Sequence, residues 1–214
     1  MNNTYYHLFA QVNAINKKYE NILKITGEGF NIFRILKLHA AENRTHSAFL
    51  AELLNPKGTH GKADAFLKLF TTKFLKKDID FETSIAKVTI EKHIGFINGD
   101  KTEGGRIDIA IKDNLDREIL IENKIYAPDQ ENQLVKYHNH NKNAHLFYLC
   151  LEGCKVNEIS CGALKESEHF HVITYKKDII TWLNECKKEA VSHPILRESI
   201  TQYINLIKFN RPNY

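Results

Sequence analysis

Cysteine and proline are scarce, at four residues each in a chain of 214. No apolar run approaches the ~20 residues that a membrane span requires. So few prolines exclude a Pro-rich linker, and there is no internal repeat or low-complexity segment. The cysteines, Cys150, Cys154, Cys161 and Cys186, fall at irregular intervals. A structural zinc site would favour paired close spacings such as C-x2-C. The opening stretch, MNNTYYHLFAQVNAINKKYE, lacks the charged and apolar blocks of a secretory signal. Reduced thiols in a cytoplasmic protein are therefore expected, with no disulfide. Charge of one sign is also lacking in excess. A net +4, with 26% charged and 43% hydrophobic residues, suits an ordinary globular protein. That balance permits a nucleic-acid partner without demanding one. Eleven histidines are many, but the count alone assigns no role.

What is present is a clear change of period. Leu8, Val12, Ile15, Tyr19, Ile22 and Leu23 follow helical spacing, and a second helix is expected from about Phe30 to Ala41. A third begins near NRTHS and stops at LLNPKGTHG, where Pro56 and Gly58 break it. A fourth covers ADAFLKLFTTKFLKK. The pattern then alternates. SIAKVTIEKHIGFI, RIDIAI and REILIENKI read as strands, joined by NGDKTEGG and by the tight turn KDNLD. Next comes a helix over PDQENQLVKYHNH, with Asp129 suited to cap it. The strands AHLFYLCL and HFHVITY follow, then helices from about Lys177 to Lys188 and from Pro194 to Phe209. The expected class is α/β (α+β): a mixed central sheet that starts with a three-stranded antiparallel meander and is flanked by helices. One domain spans 1–214, with an N-terminal helical extension over 1–41, a core over 42–175 and C-terminal helices over 176–214.

The strands contain charges where apolar residues are expected. In ILIENKI, a period of two puts Leu120, Glu122 and Lys124 on one face, with Ile119, Ile121, Asn123 and Ile125 on the other. In RIDIAI, Ile107, Ile109 and Ile111 share a face, opposite Asp108 and Ala110. Pairing around KDNLD then brings Asp108 and Glu122 to one face of neighbouring strands, with Lys124 one step beyond. Buried charges are costly unless paired or bound to metal. Two convergent carboxylates suit a hard divalent cation such as magnesium or manganese. The plain alternative is an ion pair of Lys124 with Glu122 or Asp108.

GGRIDIAI followed by ILIENKI resembles the PD-(D/E)XK nuclease superfamily, with Ile107 standing where the name-giving proline would be. The resemblance implies a restriction-endonuclease-like core and a magnesium-dependent (or manganese-dependent) phosphodiesterase site. It makes Asp108 and Glu122 the metal-binding acids, Lys124 the catalytic lysine, and the Asn123 carbonyl an extra ligand. QLVKY fits the Gln-x3-Tyr pattern of exonuclease-like branches, on Gln133 and Tyr137, which share a helix face. Upstream, ENRTHSAFLAELLNPKGTHG resembles the entry segment of uncharacterised bacterial members. There Glu42 is the first candidate to complete the metal site, with His46 one turn away in support, and Glu52 is the alternative. His60 either lies near the site or closes a loop. Lys92, Lys101 and Arg106 flank the site and could meet phosphates. The literal HNH at His138–His140 is taken as a solvated helix end. DNA is the expected partner, with RNA open, no membrane, and a homodimer or a regulatory protein partner also open. Some proteins of this fold bind nucleic acid or protein without cutting, and that reading stays beside the catalytic one.

Overall fold

The computed structural model describes residues 2–210. Five strands, β1 (Lys87–His93), β2 (Arg106–Lys112), β3 (Glu118–Lys124), β4 (His145–Cys150) and β5 (His171–Thr174), lie side by side in chain order. The first three form the antiparallel meander. β4 and β5 then add parallel to β3. Parallel strands need crossover connections, and these are supplied by α5 (Gln133–His140) and the short α6 (Glu158–Cys161). β3 is central and buried at every position, as a strand covered on both faces must be.

The sheet divides the core in two. One face carries Ile109, Ile111, Ile119, Ile121, Phe147 and Leu149. It packs against α3 (Ala48–Leu54), α4 (Ala65–Phe74), α7 (Ile180–Glu189) and α8 (Pro194–Phe209). Trp182 is buried there and donates its indole N–H to the Phe66 carbonyl at 3.0 Å. The other face carries Ala110, Leu120, Leu146 and Tyr148 under Leu134 and Tyr137 of α5.

Several elements differ from the sequence reading. The expected helix over 30–41 shrinks to α2 (Ile32–Ile35), because Lys37 takes a left-handed φ of +56° that ends it. Asp129 does not cap α5. The cap position is Asn132, while Asp129 accepts from the Tyr148 hydroxyl (2.9 Å) and the Asn157 amide (3.1 Å). The chain folds back after β4 through Gly153 and sets Cys150 and Cys154 side by side, with Cα atoms 6.5 Å apart, a separation that a disulfide allows. Cys161 and Cys186 are free and buried.

The N-terminal helix α1 (Asn2–Thr26) leaves its apolar side chains in solvent. Tyr5, Leu8, Val12, Ile15, Tyr19 and Ile22 are all exposed and recur at alternating steps of three and four, the repeat of a coiled-coil seam. Among the described residues, no helix is long and apolar enough to cross a membrane.

A wide π-helical turn, Glu42–Ser47, precedes α3 and is tied to β3 through Asn123. The Asn123 side chain, 1% exposed, donates to Ser47 Oγ at 3.0 Å and accepts from the Tyr175 hydroxyl at 2.9 Å. Asn123→Ala strands both partners in the core. With about 1–3 kcal/mol for each unsatisfied group, a loss of at least ~2 kcal/mol is expected in urea unfolding. A loss under ~0.5 kcal/mol would show that this network does not hold the turn to the sheet.

Candidate active site

β2 and β3 pair from Lys112↔Glu118 to Ile109↔Ile121 and then part. Asp108 sits one residue past the last pair. Its Oδ2 accepts the Asn123 amide at 2.7 Å, so a carboxylate replaces the carbonyl that a continued ladder would offer. Across β1, Glu91 takes a left-handed φ of +52°, and the regular pleat breaks on both sides of Asp108. Ile107 therefore packs with Ala110 and Leu120, not with Ile109 and Ile111. That corrects the strict alternation expected for β2. The gap opens a cleft of about 640 Å³, lined by Asp108, Glu122, Lys124 and Gln133 among others.

Glu122, 2% exposed, is held on every side. Its Oε1 accepts from Gln133 Nε2 at 2.5 Å and Lys124 Nζ at 3.1 Å. Its Oε2 lies 2.8 Å from the Tyr137 hydroxyl, which is also 2.6 Å from the Arg106 carbonyl. A phenol has one proton to give. If it goes to Arg106 O, the bond to Glu122 needs a proton on the carboxyl. Electrostatics agree. Burial, reinforced by the charge of Asp108, pushes Glu122 up to about 8, and Lys124 offsets this only in part. Burial likewise pushes Asp108 up to about 6, against the pull of the Asn123 amide. The site has more carboxylate than its own cations neutralise.

Glu42 also lines the cleft. Its Oε1 accepts the amides of Ile125 (2.7 Å), Tyr126 (2.5 Å) and Ala127 (2.8 Å), fastening the loop that follows Lys124. Lys124 Nζ also reaches the Pro128 carbonyl in that loop, at 3.3 Å. The Asn123 side chain points to the opposite face of the sheet, so only its main chain adjoins Asp108.

The remaining candidates lie elsewhere. His46 is fully buried in the other core, with Nδ1 2.9 Å from the Tyr203 hydroxyl and Nε2 3.1 Å from the His39 carbonyl. Burial holds it down at about 4. The expected face shared with Glu42 assumed an α-helix. Instead His46 turns into the core while Glu42 reaches the loop after Lys124. Glu52 is occupied by Thr59, accepting its hydroxyl at 2.7 Å as well as its amide. His60 closes the same loop on the Asn55 carbonyl at 2.9 Å. Lys92 pairs with Glu118 and Lys101 with Glu131. Arg106 does face the cleft, 3.4 Å from Glu91. The HNH tripeptide is the end of α5.

Of the cleft residues that were not foreseen, three stand out. Glu91 reaches it through its positive φ, which no periodicity announces. Lys136, 5% exposed, has its ammonium held below the usual lysine range by burial. It adjoins Tyr137 in QLVKY, so the motif could have drawn attention to it. Phe96 stands on the β1–β2 connection.

The donor chemistry fits a hard cation. Among the described residues, no three His, Cys, Asp or Glu side chains form a closed metal cage. Magnesium needs none, since it is held through one or two carboxylates and keeps several waters. Gln133 Oε1 is a buried acceptor without a partner, as a bound water's hydrogen would supply.

A family model described as the PD-(D/E)XK nuclease superfamily matches residues 30–205. No curated protein and no solved structure matches the chain.

Cation binding should displace the Glu122 proton. Between about pH 6.5 and 7.5, manganese affinity should rise about tenfold per unit, with release of about one proton. Both effects should flatten above about pH 8, where the carboxyl is already ionised. Calorimetry in buffers of different ionisation enthalpy measures this. An affinity independent of pH would contradict the protonated resting site.

Proposed function

The chain belongs to the PD-(D/E)XK nuclease superfamily, and from that premise we propose that it is a metal-dependent nuclease hydrolysing phosphodiester bonds in DNA. The observation that carries the reading is the convergence of Asp108, Glu122 and Lys124 in one cleft at the point where β2 and β3 part. Asp108, Glu122 and the Asn123 carbonyl would hold magnesium or manganese, with Glu42, which lines the same cleft, acting through a bound water. A cation there supplies Lewis acidity toward a phosphate oxygen and lowers the pKa of a water.

The protein's own residues do the rest. Lys124 carries a positive charge beside Glu122, where negative charge grows on phosphorus. Gln133 and Tyr137 act through Glu122. Their bonds fix its carboxyl, and Tyr137 offers a path for the proton that leaves it. Glu42 positions the loop behind Lys124 by gathering three amides on one oxygen.

The alternative is a binding module on the same fold, and the complete acid-acid-lysine set favours catalysis over it. A role in defence or repair and a cytoplasmic site of action complete the proposal. The apolar seam of α1 favours a further element, a helical partner that is either a second copy of the chain or a regulatory protein.

Linear, circular and single-stranded DNA with magnesium or manganese provide the test. Wild-type protein should cut at least one of them. Asp108→Ala and Glu122→Ala should abolish cutting. Lys124→Ala should fold yet lose about 10²–10³ in rate, the usual effect of removing one group that stabilises developing charge. Equal rates for wild type and Lys124→Ala would reduce the lysine to an ion-pair partner.

A further inference from the structure

The connection between β1 and β2 forms one wall of the cleft and presents an aromatic ring that the core does not use. Phe96 is 93% exposed, the most exposed large apolar side chain among the described residues. It lines the same cleft as Asp108 and Glu122, and His93 meets it edge-on with centroids 5.7 Å apart. The backbone beneath is tightly built. The Ile94 amide donates to the Gly105 carbonyl at 3.0 Å, and the Gly105 amide donates to the Gly95 carbonyl at 2.9 Å. Gly104, at φ +80°, runs so close to the Phe96 carbonyl that an added Cβ would lie 2.1 Å from its oxygen. Asn98 Oδ1 gathers the amides of Thr102 and Glu103, and Asn139 holds the Thr102 carbonyl from α5. The Lys101–Glu131 pair ties the tip toward the other end of α5. The ring is thus displayed by a braced arm.

An exposed aromatic face beside a phosphate-handling site matches the chemistry of base stacking. Stacking on aromatic side chains tolerates any sequence, because every base has a π-face. In a duplex those faces are covered by neighbouring pairs. Building on the nuclease reading, we propose that Phe96, with His93 at its edge, is a stacking platform for an unpaired base. The preferred substrate is then single-stranded nucleic acid, with its backbone carried past Arg106 toward the carboxylates.

The test compares wild type, Phe96→Ala and Phe96→Trp. The probes are a single-stranded oligodeoxynucleotide containing 2-aminopurine and the corresponding duplex, each with calcium. Wild type should bind the single strand more tightly and quench the probe. Phe96→Ala should lose about 5- to 100-fold in single-strand affinity, the range for one stacked base, and most of the quenching. Phe96→Trp should retain both, and duplex binding should change less than about twofold across the three proteins. Equal single-strand binding by wild type and Phe96→Ala would overturn the platform. So would a wild type that binds no single strand, or losses that are equal for both probes. Cleavage with magnesium is read separately. A wild type that cuts neither DNA defeats the nuclease reading, while the binding comparison still decides the role of Phe96.

Discussion

The carboxyl of Glu122, buried in the middle of the central strand, is the constraint that the site's architecture answers. A lone carboxylate there would be prohibitively desolvated. Gln133, Tyr137 and Lys124 each give it a bond, yet Asp108 places a second acid beside it. Burial and the neighbouring Asp108 charge favour the protonated form of Glu122. Its folded pKa lies above the ordinary glutamate value of 4.5, so this group's stabilisation is present below that value and is lost as pH rises through about 8. A cation would remove the conflict at neutral pH.

The fold supplies this arrangement by interrupting itself in one place. β2 and β3 part after Ile109↔Ile121, and Asp108 fills the gap with a side-chain acceptor. Behind β3, the Asn123 side chain locks the strand to the turn at Ser47 and to Tyr175. Glu42, from the start of the same turn, fastens the loop after Lys124. One face of β3 therefore anchors in the larger core while the other carries Glu122 and Lys124. Rigid support of this kind is what holds catalytic groups in register.

The order of helices and strands, the meander, and the shared location of Asp108, Glu122 and Lys124 were legible because they rest on local periodicity and short spacing, whereas Gln133 and Tyr137 were reached through the resemblance. What failed depended on departures from ideal geometry. The parity of Ile107 flips where the ladder ends, and Glu91 enters the cleft through a positive φ. His46 turns into the core, where it bonds Tyr203, instead of lining the site beside Glu42. Lys37 cuts short a helix whose apolar spacing was sound. The closeness of Cys150 and Cys154 comes from a fold-back after β4 that irregular cysteine spacing does not reveal. The Glu42 contacts with residues 125–127 span more than eighty positions and were not foreseen, since the resemblance offered Glu42 only as an acid of the metal site.

The central claim is that Glu122 is kept for a cation rather than for its ion pair with Lys124. Urea unfolding of wild type and Glu122→Gln at neutral pH, with and without manganese, tests it most directly. Without metal, wild-type Glu122 is already largely neutral, so the two proteins should agree within about 0.5 kcal/mol. With manganese at a hundred times its dissociation constant, wild type should gain about 2.7 kcal/mol and the variant almost nothing. A variant that is several kcal/mol weaker without metal, and that manganese stabilises as much as wild type, would show Glu122 to be a structural partner of Lys124 and contradict the account.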